Sequence, residues 1–224
     1  MLESRLKLHK EAKVKHRIIG DTGQTVAVEL TGGEAVFGRI GTLLFVKGAV
    51  RSDTNPSGPY WSTISEALAP PDETPLVVYR CEAGGGLVGF RAPATGKIHP
   101  VTLDGSSRII VKRKSVIAAA EGIQCDRLHL EGEDSGDVPV NIFVTLAGSG
   151  QAFLHGAGNL VDFTLGDGEH MVVDGEMILS MEGEIDYTPK PVGKPDQAGE
   201  LPYILLMHLG GPGRVILNSI KRNS

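Results

Sequence analysis

Aromatic side chains are scarce in this chain, with 6 Phe, 4 Tyr and 1 Trp among 224 residues. So are cysteines. The only two, Cys81 and Cys125, form no CxxC spacing and no disulfide framework, which points to a reducing compartment. No run reaches the roughly 18 apolar residues that a membrane-spanning helix needs. The opening segment, MLESRLKLHKEAKVKHR, has no apolar stretch of the kind a secretory signal carries. There is no Gly-x-Ser-x-Gly elbow and no His-x-His pair followed by Glu, so neither a hydrolase nucleophile nor a cupin-type metal strand is encoded. Gly89 to Lys97 (GFRAPATGK) has the outline of a phosphate loop. It carries Ile98 where Ser or Thr would hold magnesium, and His99-Pro100 cannot open the helix that such a loop requires.

Glycine and proline, by contrast, are abundant: 30 and 13 residues spread along the chain. With so few aromatics they describe many short strands joined by turns, an all-β protein rather than a helical bundle. A loose threefold pattern runs through it. Glu34–Val50 lies on Glu169–Ile185 without a gap, pairing Leu43 with Ile178 and Gly48 with Gly183. Arg108–Ile123 supplies a middle copy, with apolar stretches Ile109–Val111 and Val116–Ala120 ahead of Glu121-Gly122. Such periodicity predicts a double-stranded β-helix or β-sandwich built from about three pseudo-repeats. Residues 1–16 read as a basic arm or edge strand, and 17–224 as a single β-helix-like domain. Tyr60–Leu68 is the one stretch with helical character, and the run from Thr188 to Pro202 reads as a loop. The Gly-x-Gly motifs at Gly148/Gly150 and Gly211/Gly213 are expected to be hairpin-like bends, with Gly96 in the matching place of the first copy.

Charge is uneven along the chain. Residues 1–118 hold 16 Lys and Arg against 11 Asp and Glu, and residues 119–224 hold 6 against 16, within a net charge of −5. A basic half and an acidic half can steer subunits head to tail, although scatter over a folded surface gives the same numbers. Arg108, Lys112, Arg113 and Lys114 are the candidate binding residues: positive charges around a turn, where phosphate contacts are possible. No aromatic residues interleave them, and an ordinary solvated turn is the simpler account of them. The alternating acids Asp174/Glu176 and Glu182/Glu184 fit a wet strand face. His155 and His208 are the histidines that could meet in space, yet a lone histidine on a strand is more often a core or surface residue than a ligand. No catalytic residue, metal ligand or cofactor is assigned.

Several segments together resemble the altered inheritance of mitochondria twenty-four family, also called the mitochondrial biogenesis family. They are RIIGDTGQTVAVEL (17–30), Gly33-Glu34 with Gly41–Val50, TGKIHPVTL (95–103), Lys112–Ala120, Gly148–Leu165 and above all GPGRVILNS (211–219). The resemblance implies a double-stranded β-helix related to the tryptophan RNA-binding attenuation protein. Eukaryotic members are associated with the mitochondrial inner membrane and with cristae-organising assemblies, and bacterial members have no assigned activity. Glu3 and Glu11 interrupt the opening segment, unlike a transit peptide, so a cytoplasmic, bacterial-type member is expected. The function expected is a non-enzymatic β-scaffold without cofactor, a homo-oligomer presenting a surface to an unidentified protein partner. RNA or small-ligand binding is the alternative by fold analogy, and a metal-dependent cupin-type enzyme the third.

Overall fold

Period-two sequence becomes strand throughout. In Thr25–Thr31 the residues Val26, Val28 and Leu30 turn inward and are buried, as alternation requires of a strand with one face on a core. A computed structural model describes residues 14–69, 75–128, 143–192 and 204–221. Its first strands are β1 (His16–Ile19), β2 (Thr25–Thr31), β3 (Ala35–Arg39) and β4 (Leu43–Asp53); helix α1 (Pro59–Leu68) and β5 (Leu76–Arg91) follow. A second group comprises β6 (Gly96–Asp104), β7 (Ile109–Lys112), β8 (Val116–Ala120), β9 (Ile123–Arg127) and β10 (Phe143–Ala157). The third is β11 (Leu160–Leu165), β12 (His170–Asp174), β13 (Ile178–Gly183), β14 (Asp186–Val192), β15 (Ile204–Gly210) and β16 (Gly213–Asn218). The protein is all-β, and every pairing between these strands is antiparallel.

Each group is organised by its last strand or strands. The first part of β5 pairs with β3 and the end of β4, and its second part with β2 and the start of β4. β10 divides the same way, between β7 and β9 first and then β6 and β8. In the third group β15 takes β12 and β14, and β16 takes β11 and β13. Two seams join the groups: β3 with β8, and β7 with β13. The result is a thirteen-stranded sheet beside a three-stranded one, β12-β15-β14.

These pairings correct the expectation for the glycine motifs. Gly148 and Gly150 do not turn a hairpin; β10 runs through them and changes partners there, from β9 to β6. Gly211–Gly213 likewise joins strands that belong to different sheets. The first group's corner is Gly84–Gly86, inside β5, and not Gly96, which opens β6. A strand that changes partners in mid-course needs backbone conformations closed to most residues, and Gly148 sits at φ +88. The run from Thr188 is strand as far as Val192, despite Pro189 and Pro191, because among the described residues β14 pairs only with β15 and its outer edge needs no N–H donors. Residues 193–203 lie outside the described residues. So do 1–13, most of the expected basic arm; from His16 the chain is the edge strand β1.

Burial is distributed over three apolar clusters. One gathers Phe37, Ile64, Leu68, Val111, Ile123, Leu146 and Leu154 of the first two groups and reaches Leu179 and Ile216 of the third, a second centres on Phe90 and Phe153, and a third on Phe143, Met181, Met207 and Val215. Each fully buried Phe or Leu contributes about 1.5–3 kcal/mol of transfer free energy. All five residues of β8, VIAAA, are buried. Gly38 in the neighbouring β3 leaves room for Phe90, whose ring carbon lies 2.5 Å from where a Cβ would stand. Helix α1 starts on Pro59, whose missing N–H costs nothing at a helix start, and buries Ile64, Ala67 and Leu68 on one face.

Candidate functional site

The four basic candidates are divided by the fold. Arg108, just before β7, and Lys114 are exposed, whereas Lys112 and Arg113 are each only 7% exposed. Lys112 ends β7, and the next three residues, Arg113–Ser115, form a 3-10 turn closed by the Ser115 hydroxyl donating to the Lys112 carbonyl at 2.6 Å. That turn aims the Lys112 ammonium across the second seam. It donates to the Glu176 carbonyl at 2.6 Å and to the Glu176 carboxylate at 2.5 Å. Arg113 points the other way and donates to the Leu68 carbonyl, at the end of α1, at 3.3 Å. A cation at a helix C-terminus meets carbonyls that lack helical partners. These two charges therefore hold the protein's own groups of strands together.

Arg39 plays the corresponding part at the first seam. As the last residue of β3 it donates to the carbonyls of Val116 at 3.1 Å and Arg113 at 3.0 Å. In the third group the last residue of β12 is Asp174, whose carboxylate accepts from the Glu176 N–H at 2.9 Å. Sequence reasoning missed Arg39, although it stands as many residues before Leu43 as Lys112 does before Val116, and that spacing was the available signal.

A second charged cluster lies where β16, β11 and β13 meet. Arg214 forms a two-pronged pair with Asp162, with contacts of 3.0, 3.2 and 2.6 Å, and stands 3.6 Å from Glu182. The hydrogen bonds from Arg214 hold the Asp162 carboxyl below its ordinary range. Burial, reinforced by Arg214, lowers the pKa of nearby His99. On the first group a cleft of about 450 Å³ is lined by Arg51, Asp53, Trp61, Arg80 and Glu82, among others. Its arginines are matched by acids: Arg80 donates to both Glu121 oxygens at 2.8 and 2.9 Å, and Arg51 is 3.6 Å from Glu82.

Histidine and cysteine are dispersed. His155 is buried in β10 opposite Ile98, whereas His208 lies in β15 of the three-stranded sheet, opposite Val172 and Thr188. Among the described residues no three His, Cys, Asp or Glu side chains form a metal-sized group. Both cysteines are buried, and burial pushes the Cys125 thiol up to about 12. The expected acidic pairs are split between elements, Asp174 ending β12 with Glu176 in the turn after it, and Glu182 in β13 with Glu184 beyond its end; Glu176 is engaged by Lys112 and Glu182 faces Arg214.

What lies open is apolar and on an edge. Ile40, Leu43, Leu44 and Val46, along the start of β4, are 38–52% exposed. Val172 on β12 is 54% exposed. Among the described residues β4 pairs only with β5, and β12 only with β15. No helix among the described residues is long and apolar enough to cross a membrane.

This arrangement defines a class of all-β proteins in which long bent strands carry successive antiparallel groups. A crystal structure of a Streptococcus pyogenes protein from a structural-genomics programme shares the fold, with a TM-score of 0.72 over 93% of this chain and 94% of that one at 19% identity. The chain belongs to the mitochondrial biogenesis AIM24 family, whose model matches residues 16–220. No curated protein matches it.

Proposed function

We propose that this protein is a non-enzymatic, cytoplasmic β-scaffold, made of three pseudo-repeats in the manner of a double-stranded β-helix, that oligomerises and presents a surface to protein partners. The observation that carries this reading is the apolar edge of β4. Leu44 is 52% exposed and Val46 40% on a strand whose outer backbone edge has no partner among the described residues. Folded chains usually shield such edges with charge, proline or a covering segment, and one left apolar marks an interaction surface. The RNA-binding alternative is weakened by the same geometry, because Lys112 and Arg113 are engaged inside the fold.

The test is the mass of the purified protein by light scattering and sedimentation across a wide concentration range, with capture of partners on wild-type and Leu44→Lys protein compared side by side. Assembly above the 23.7 kDa chain mass is expected, together with partners that Leu44→Lys loses. A monomer at every concentration whose captured proteins do not depend on Leu44 defeats the proposal.

A further inference from the structure

The two internal seams obey one rule. β3, β7 and β12 each run into a short turn, at 40–42, 113–115 and 175–177, and β4, β8 and β13 each leave it. In the first seam Gly38 stands opposite Ala118, Phe37 opposite Ala119 and Val36 opposite Ala120. In the second, Val111 stands opposite Ser180, Ile110 opposite Met181 and Ile109 opposite Glu182. Counted from the turns, these are the same positions in the same register. Two edges of this kind are left over: β4, which leaves the first turn, and β12, which enters the last. They do not pair with each other within the chain. The shared register would set Val173 opposite Phe45, Val172 opposite Val46 and Met171 opposite Lys47.

Burial supports the match independently. Ile117 and Ala119 on β8 are 1% and 0% exposed, and Leu179 and Met181 on β13 are 0% and 2%. Leu44 and Val46 hold the corresponding places on β4 and are 52% and 40% exposed. Phe37 on β3 is 1% exposed, and its counterpart Val172 is 54% exposed. Val172 and Val46, which the rule sets face to face, are thus both open apolar side chains, and Leu44 lies open beside them. Charge agrees as well. β4 carries Lys47 and Arg51 against one acid, Asp53 at its far end, while Asp167, Glu169 and Asp174 lie on or beside β12.

We infer that β4 of one molecule pairs antiparallel with β12 of a second copy, in the register of the internal seams. The contact is head to tail, so it propagates into a ring or an open filament. It is weaker than the internal seams, because the cation that locks each of those, Arg39 or Lys112, is replaced by Asp174. Association is therefore reversible and concentration-dependent, and Asp174→Lys strengthens it.

This inference rests on the oligomeric part of the proposed function and specifies its geometry. Two variants test it: Leu44→Asp with Val46→Asp, which blocks β4, and Val172→Asp, which blocks β12. All three positions are solvent-exposed, and circular dichroism with urea unfolding verifies that both variants fold. Each variant alone should associate at least about tenfold more weakly than wild type, the scale of burying one charge against an apolar partner. Mixed, they retain one good β4 edge and one good β12 edge, and should form a 1:1 dimer and nothing larger. Wild-type assembly that Val172→Asp leaves unchanged overturns the pairing while the scaffold reading stands. A mixture that stays monomeric while wild type assembles overturns it too, and a wild type that is itself monomeric at every concentration removes the oligomer from both readings.

Discussion

Replacing Lys112 by Met keeps the length and most of the volume of the side chain and removes only its charge and donors. The Lys112 side chain is 9% exposed, and its partner Glu176 is 32% exposed. Breaking a fully buried ion pair from one side costs about 3–5 kcal/mol, because the abandoned charge stays desolvated. Glu176 is accessible enough to recover part of its hydration, and the Glu176 main-chain carbonyl loses a charge-assisted hydrogen bond worth about 1.5–3 kcal/mol. The expected loss is about 2–3 kcal/mol. For a chain of this size that lowers the melting temperature by roughly 5–10 °C. Urea unfolding monitored by circular dichroism measures it, with Arg108→Met as the exposed control, expected within about 0.5 kcal/mol of wild type. In a double-mutant cycle with Glu176→Gln the two losses should fall short of additive by about 1 kcal/mol or more. If Lys112→Met were as stable as Arg108→Met, the seam would not depend on this contact, and the account of why two of the four basic residues are internal would fail.

Glycine corners and the buried thiol lead to two further expectations. Gly148 and Gly33 have nearly the same backbone conformation, φ +88 and +89, but a Cβ at Gly148 would run into the Gly122 carbonyl oxygen while one at Gly33 meets open space. Gly33→Ala should therefore cost only the left-handed strain of about 1–2 kcal/mol. Gly148→Ala should cost about 3 kcal/mol or more, and equal melting temperatures for the two variants would contradict the clash. Cys125, with its thiol pushed up to about 12 by burial, should react with a disulfide reagent at pH 8 only after urea unfolding. Rapid labelling of the native protein would show that the thiol is not enclosed as described.

Much of the fold was legible because strands with one buried face advertise themselves by alternation. Val26, Val28 and Leu30 marked β2, and the two apolar stretches around Lys112–Lys114 marked β7 and β8 with a turn between them. The role of the glycine motifs was not legible. A Gly-x-Gly that turns a hairpin and one at which a strand changes partners demand the same permissive backbone, and only the partners on either side distinguish them. The fate of the basic cluster was hidden for a related reason. Lys112 finds Glu176 64 positions downstream, and Arg113 finds the Leu68 carbonyl 45 positions upstream. Local sequence records a run of positive charge, and long-range pairing decides which of those charges meet solvent. The apolar edge of β4 was read as strand but not as an unpaired one, since periodicity carries no information about a neighbour that is missing.

Helix α1 has a consequence for how the molecule comes apart. Its C-terminal carbonyls are held by Arg113 and by Arg127, which donates to the Glu66 carbonyl, and the Tyr60 hydroxyl donates to the Ile123 carbonyl at 2.9 Å. All three contacts clamp the first group of strands to the second, and among the described residues no hydrogen bond from α1 reaches the third. The first two groups are thereby expected to unfold as one cooperative block, and the third, joined through β7 and β13 without a helix across the junction, is expected to open at a lower free energy. The end of the chain that carries the β12 edge is thus also the end best able to yield and adjust when another surface is laid against it.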